Sequence, residues 1–137
     1  MKEYKFGKRS KKHLAGTDEM VQKLAEKALK YSTIDFSVID GFRTPEQQAN
    51  MYADGKSELD GVNKISDHQT GMAIDVIPVI DGNVWNVKDP EVAMAWLELG
   101  RAMMRAAMKL GLILEWGIAY NISGGRDYPH ISVKGRM

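Results

Sequence analysis

The run Met72-Ala73-Ile74-Asp75-Val76-Ile77-Pro78-Val79-Ile80 constrains the chain most, because it is apolar throughout except for one carboxylate. Its length and its Ile and Val content predict a strand over 72–80. A carboxylate set into such a strand is costly unless it finds a partner. Seven residues earlier, His68 lies in the polar stretch Ile65-Ser66-Asp67-His68-Gln69-Thr70-Gly71, where Gly71 lets the backbone turn from loop into strand. A metal ion is one partner that satisfies both side chains at once.

The rest of the chain supplies what surrounds that strand. Residues 17–31 read as an amphipathic helix, with Thr17 as cap, Asp18 and Glu19 at its positive end, and Val21, Leu24, Ala25, Ala28 and Leu29 at helical spacing. Phe36 to Ile39 alternates as a half-buried strand. A second helix follows over Glu46 to Ala53, with Thr44 as cap and Pro45 in its first turn. Residues 54–71 lack periodicity and form a long loop. After the strand, Asp81-Gly82-Asn83 signals a turn, from which Val84 to Val87 is expected to return as a hairpin partner. The longest helix runs from Asp89-Pro90 to about Leu110 and stops at Gly111. Leu112 to Trp116 and His130 to Val133 are the last strands, separated by the glycine-rich Ser123-Gly124-Gly125. Short turns join several strands, so the expected fold class is α+β, a largely antiparallel sheet with packed helices in a single domain over 1–137.

Charge and composition remove several classes of function. The 137 residues contain no cysteine, which excludes disulfides and thiolate zinc sites. A net charge of +1 is not that of a general polyanion binder. Lys2, Lys5, Lys8, Arg9, Lys11 and Lys12 nonetheless crowd a basic N-terminal arm over 1–16, which is either solvated or weakly drawn to an anionic surface. No apolar stretch is long enough to span a membrane, so no membrane insertion is expected. The first residues do not resemble a signal peptide, and synthesis in the cytoplasm without one is the expectation.

Any metal must therefore be held by His, Asp or Glu, and there are only three histidines, His13, His68 and His130. Catalytic zinc takes three protein ligands and leaves a position for water. His68, Asp75 and His130 offer such a set, while His13 falls in the basic arm and is expected to be solvated. Asp127, three residues before His130, is placed to act as a base towards water. Glu115, at a strand end, is a rival base. Arg43, at a strand-to-helix turn, is a cation suited to a developing oxyanion, and Gln47 and Gln48 are placed towards the same cleft. Taken singly, each has an ordinary reading: a solvated loop histidine, an edge-strand carboxylate, a surface histidine, a turn aspartate, a turn arginine paired with Glu46.

In combination, Asp35-Phe36-Ser37-Val38-Ile39-Asp40-Gly41-Phe42-Arg43-Thr44, Ser66-Asp67-His68-Gln69-Thr70-Gly71-Met72-Ala73-Ile74-Asp75 and Asp127-Tyr128-Pro129-His130 resemble the three signature regions of the M15 family of zinc peptidases. The narrower likeness is to its phage endolysin and L-alanyl-D-glutamate peptidase branch. That resemblance implies one zinc ion on His68, Asp75 and His130, Asp127 as base, Arg43 at the scissile carbonyl, and Ser66 in the substrate pocket. It also implies the fold shared by Hedgehog domains and D-Ala-D-Ala peptidases. The sequence departs from the family pattern at Trp116-Gly117-Ile118-Ala119-Tyr120, where a Trp-Gly-Gly-Asp-Trp-like segment is common.

The expected function is hydrolysis of the peptidoglycan stem peptide at the L-Ala–D-Glu bond in phage-type lysis. The chain is expected to act as a monomer, without nucleic acid, and to be released by a holin-type membrane-lesion partner. Two alternatives remain at this level: a D,D- or L,D-carboxypeptidase on stem-peptide ends, and a non-catalytic wall- or nucleic-acid-binding domain with a structural metal.

Overall fold

The computed structural model describes residues 3–82, 84–117, 121–122, 125–126 and 129–137, with backbone alone at 121–122 and 125–126. Its elements are α1 (Lys8–Ala15), α2 (Glu19–Tyr31), β1 (Phe36–Asp40), α3 (Pro45–Ala53), β2 (Ala73–Pro78), α4 (Pro90–Leu110), β3 (Leu112–Trp116), β4 (Asn121–Ile122), β5 (Gly125–Arg126) and β6 (His130–Arg136). β1, β2, β6 and β3 form one sheet in that order, antiparallel throughout, and β4 pairs with β5 separately. The α+β expectation is met.

Alternation along the strands divides the sheet into a core face and a polar face. Phe36, Val38, Ile74, Val76, Ile131 and Val133 are buried in one cluster with Leu24, Ala28, Trp96, Leu99 and Met103 of α2 and α4. Gly100 is required in that layer, since a Cβ there would lie 2.1 Å from the Trp116 ring. The intervening residues Asp75, His130 and Ser132 point to the other face. Asp75 is the register partner of both His130 on β6 and Asp40 on β1. Asp40 reaches this row only because β1 bulges between Val38 and Asp40. Strict alternation would have turned its carboxylate into the core; the extra residue turns it to the polar face.

Three local expectations are corrected. Thr17 is not the cap of α2. Asp18 accepts from the Met20 N–H, while the Thr17 hydroxyl donates to the Leu14 carbonyl and closes α1. Residues 84–87 turn instead of forming a strand, because β2 already has β1 on one edge and β6 on the other. Val84 instead accepts from Trp96 Nε1–H, and Trp85 stacks obliquely on Trp96 at 6.1 Å. The basic arm is helical from Lys8 to Ala15 and packs on β1, whose Val38 N–H donates to Ser10 Oγ. His13, expected to be solvated, is half-buried in that helix. No helix among the described residues is long and apolar enough to cross a membrane.

Candidate metal centre

His68, Asp75 and His130 come together. Each offers one ligand atom, and those atoms all lie within 4.8 Å of one another. Asp75 Oδ1 stands 3.2 Å from His68 Nε2 and 3.3 Å from His130 Nδ1. The two rings meet edge to face at 5.1 Å.

Local structure explains each placement. His68 is buried in the loop between α3 and β2, where the Ser66 hydroxyl accepts from its N–H. Its Nδ1 lies 2.8 Å from the Gly41 carbonyl, and its own carbonyl accepts from the Arg43 N–H. A carbonyl can only accept, so Nδ1 carries the proton and Nε2 faces Asp75. Gly71, with φ +75°, turns the chain from this loop into β2. His130 is aimed by the register of β6 against β2 and by Pro129, whose carbonyl accepts from the Val76 N–H.

The electrostatics suit a cation. Burial pushes the Asp75 carboxyl up, but hydrogen bonds from His130 and His68 prevail and hold it well below the usual carboxylate range. Burial pushes the His68 imidazole down, yet its bond to Asp75 and the carboxylate charge leave it above its ordinary value. With Nδ1–H committed to Gly41, the proton that binds at Nε2 occupies the place a metal ion would take. Two imidazole nitrogens and a carboxylate oxygen around one point form a borderline-soft donor set that fits zinc, with Gly41 as the outer partner that metal-binding histidines commonly have.

Arg43 joins this group from the turn between β1 and α3. It is buried, its Nε and Nη2 donate to Asp40 Oδ2 at 2.8 and 2.6 Å, and Nη1 donates to Gln48 Oε1 at 2.9 Å. Nη2 also stands 3.6 Å from Asp75 Oδ2. Gln48 is fully buried and donates onward to Ser57 Oγ and the Leu59 carbonyl, tying the arginine to the long loop.

Other expected site residues are placed differently. Gln47 is exposed and is not brought to the cluster; its side chain accepts from the Thr44 N–H and completes the capping box of α3. Ser66 is 3% exposed, with its hydroxyl engaged beneath His68. Glu115 pairs across the sheet with Ser132, and its Oε2 lies 3.4 Å from Lys134 Nζ. Asp127 lies outside the described residues. Gln48 is brought to Arg43 as expected, whereas Gly41, Asp40 and Ser132 escaped the sequence reasoning. Ser132, two residues from His130 on a strand, was within reach of it by alternation alone.

Comparison with known proteins gives this geometry a lineage. The family model for phage L-alanyl-D-glutamate peptidases matches residues 2–133. The chain is 41% identical over 132 residues to the L-alanyl-D-glutamate peptidase of Escherichia phage T5, a match covering 96% of this chain and 90% of that protein. Among solved structures, the L-Ala D-Glu endopeptidase ChiX of Serratia marcescens matches with a TM-score of 0.76 at 30% identity, over 96% of this chain and 91% of that one. The chain belongs to the phage L-alanyl-D-glutamate peptidase family.

Proposed function

We propose that this protein is a zinc-dependent endopeptidase that hydrolyses the L-Ala–D-Glu bond of the peptidoglycan stem peptide. Family membership supports the bond and the substrate. The convergence of His68, Asp75 and His130 on one point is the observation that carries the mechanism.

His68 Nε2, His130 Nδ1 and the Asp75 carboxylate would hold the ion. When bound, zinc supplies a Lewis acid for the scissile carbonyl and lowers the pKa of water to about 7. Asp127 is assigned the role of base, taking a proton from the attacking water and passing it to the leaving amine. Arg43 is assigned the oxyanion. Asp40 and Gln48 hold its guanidinium beside Asp75, so that no reorganisation is needed as charge develops. Ser66 acts on the substrate side only through the loop it shapes around His68. We take residues 1–137 as one domain and a monomer as the working unit. Release by a holin-type partner is the route that likeness to phage endolysins implies.

Digestion of purified peptidoglycan, with mass spectrometry of the new termini, tests the bond. New D-Glu amino termini are expected. Release of terminal D-Ala alone would instead make the protein a carboxypeptidase.

A further inference from the structure

Hydrolysis at the metal centre makes no use of the charge that crowds the start of the chain. Lys5, Lys8, Arg9, Lys11 and Lys12 are all exposed. Among the described residues none of them makes an ion pair, whereas Lys23 on α2 is paired with Glu19 and Arg101 on α4 with Glu98. α1 turns Ser10 and Leu14 inward, which gathers Lys8, Arg9, Lys11 and Lys12 on its outward face.

That face works against the helix that bears it. Lys8 and Arg9 stand in the first turn, at the positive end of the helix dipole, with no acidic residue there and no side-chain cap from Gly7. Lys8 meets Lys11 and Lys12, and Arg9 meets Lys12, at the three- and four-residue spacings where like charges repel. Helix stability therefore does not account for the pattern. An anion laid along the face does, because it relieves both penalties at once.

α1 is also fixed in place beside the site. Its Ser10 hydroxyl accepts from the Val38 N–H of β1, and its His13 carbonyl occupies the space where a Cβ on Gly41 would lie. The Gly41 carbonyl on the same turn accepts from His68. A ligand held on α1 is thus held on a packed element next to the candidate metal centre.

The substrate carries the complementary charge. Glutamate has two carboxyl groups and a peptide chain uses one, so each stem peptide keeps a free carboxylate and a mesh of them is a polyanion. We propose that Lys8, Arg9, Lys11 and Lys12 form an electrostatic docking face for stem-peptide carboxylates of intact peptidoglycan, outside the peptide being cut. The face retains the enzyme on the polymer and takes no part in bond cleavage. The proposal rests on peptidoglycan as the substrate, which family membership supports.

Its test compares the parent with a variant carrying Lys8→Gln, Arg9→Gln, Lys11→Gln and Lys12→Gln. A control carrying Lys8→Arg, Lys11→Arg and Lys12→Arg keeps the charge. Binding is read by co-sedimentation with purified sacculi, free of lipid and teichoic acid, with a chelator present to stop digestion. Cleavage is read on the same sacculi and on a soluble stem peptide. At low salt the glutamine variant is expected to bind and digest sacculi about tenfold less well, yet to cleave the soluble peptide within about twofold of the parent. Its Tm should equal or exceed that of the parent, since the repulsion within α1 is gone. The arginine control should match the parent throughout. Raised salt should abolish the parent's advantage, and so should amidation of the sacculus carboxylates, a test that needs no variant.

A folded glutamine variant that binds and digests sacculi as the parent does would overturn the proposal. Parent binding that survives amidation would overturn it as well. A variant that loses binding to duplex DNA but keeps it to sacculi would make this a nucleic-acid face instead. A parent that cuts neither sacculi nor the soluble peptide would remove the peptidase reading itself, and the proposal with it.

Discussion

Nδ1 of His68 donates to the carbonyl of Gly41 at 2.8 Å, so the turn that leads to Arg43 also sets the orientation of the first residue of the cluster that could hold a metal. Gly41 has no room for a side chain, because a Cβ there would lie 2.0 Å from the His13 carbonyl of α1. Gly41→Ala must push strand and helix apart and shift the acceptor of His68. Its expected cost is about 1–3 kcal/mol in thermal unfolding of the metal-free protein, the range for overpacking. Zinc affinity, measured by chelator competition, should fall about tenfold with it.

Asp75 and His68 give the metal-free protein a defined pH dependence. The folded pKa of His68 is raised, so its contribution is fully present below the unfolded value of 6.5 and is lost as pH rises through the folded value. That of Asp75 is depressed, so its contribution is present above the unfolded value of 3.8 and is lost as pH falls through the folded value. The pair should therefore stabilise the metal-free protein most between those two unfolded values. Scans of Tm against pH should show that maximum, and Asp75→Asn should flatten it while weakening zinc binding at least about 100-fold.

Arg43→Lys keeps the charge but cannot serve Asp40 and Gln48 at the same time. With the cation no longer held at the site, kcat should fall about 100-fold, the scale for losing a fixed oxyanion partner. KM and zinc affinity should stay within about threefold of the parent. Steady-state kinetics with a stem-peptide substrate separates this from a ligand defect, which would lower zinc affinity first.

Away from the site, Glu98 of α4 accepts from the N–H and hydroxyl of Thr33 and from Arg101, which also donates to the Tyr31 carbonyl. Chiefly through the Arg101 bond, its pKa is held down to about 2 from 4.5. The stability it supplies is present above pH 4.5 and is lost as pH falls towards 2. Glu98→Gln should cost about 1–2 kcal/mol at pH 6, discounted for the partly exposed arginine, and only a small fraction of that at pH 2. Denaturant melts at the two pH values measure the difference.

Much of this was legible before any coordinates. α2, α3, α4 and the four sheet strands announce themselves by periodicity and by Pro and Gly at their ends, and the ligand trio by the scarcity of histidine. α1 did not, because Lys8, Arg9, Lys11 and Lys12 hide a helix whose inward face is only Ser10 and Leu14. The hairpin expected over 84–87 failed because local turn chemistry says nothing about which sheet edges are already taken. Gln47 looked available as a polar residue near the site, yet helix capping claims its side chain; Gln48, one residue on, turns inward to Arg43. Asp40 was beyond reach, since a bulge, which alternation cannot foresee, decides which face it takes.

The central claim is that His68, Asp75 and His130 hold the catalytic zinc. Anomalous diffraction at the zinc edge, from crystals of protein active without added metal, tests it most directly. One peak is expected, about 2.0–2.2 Å from His68 Nε2, His130 Nδ1 and an Asp75 carboxylate oxygen. An active protein whose crystals show no peak between those three residues would contradict it.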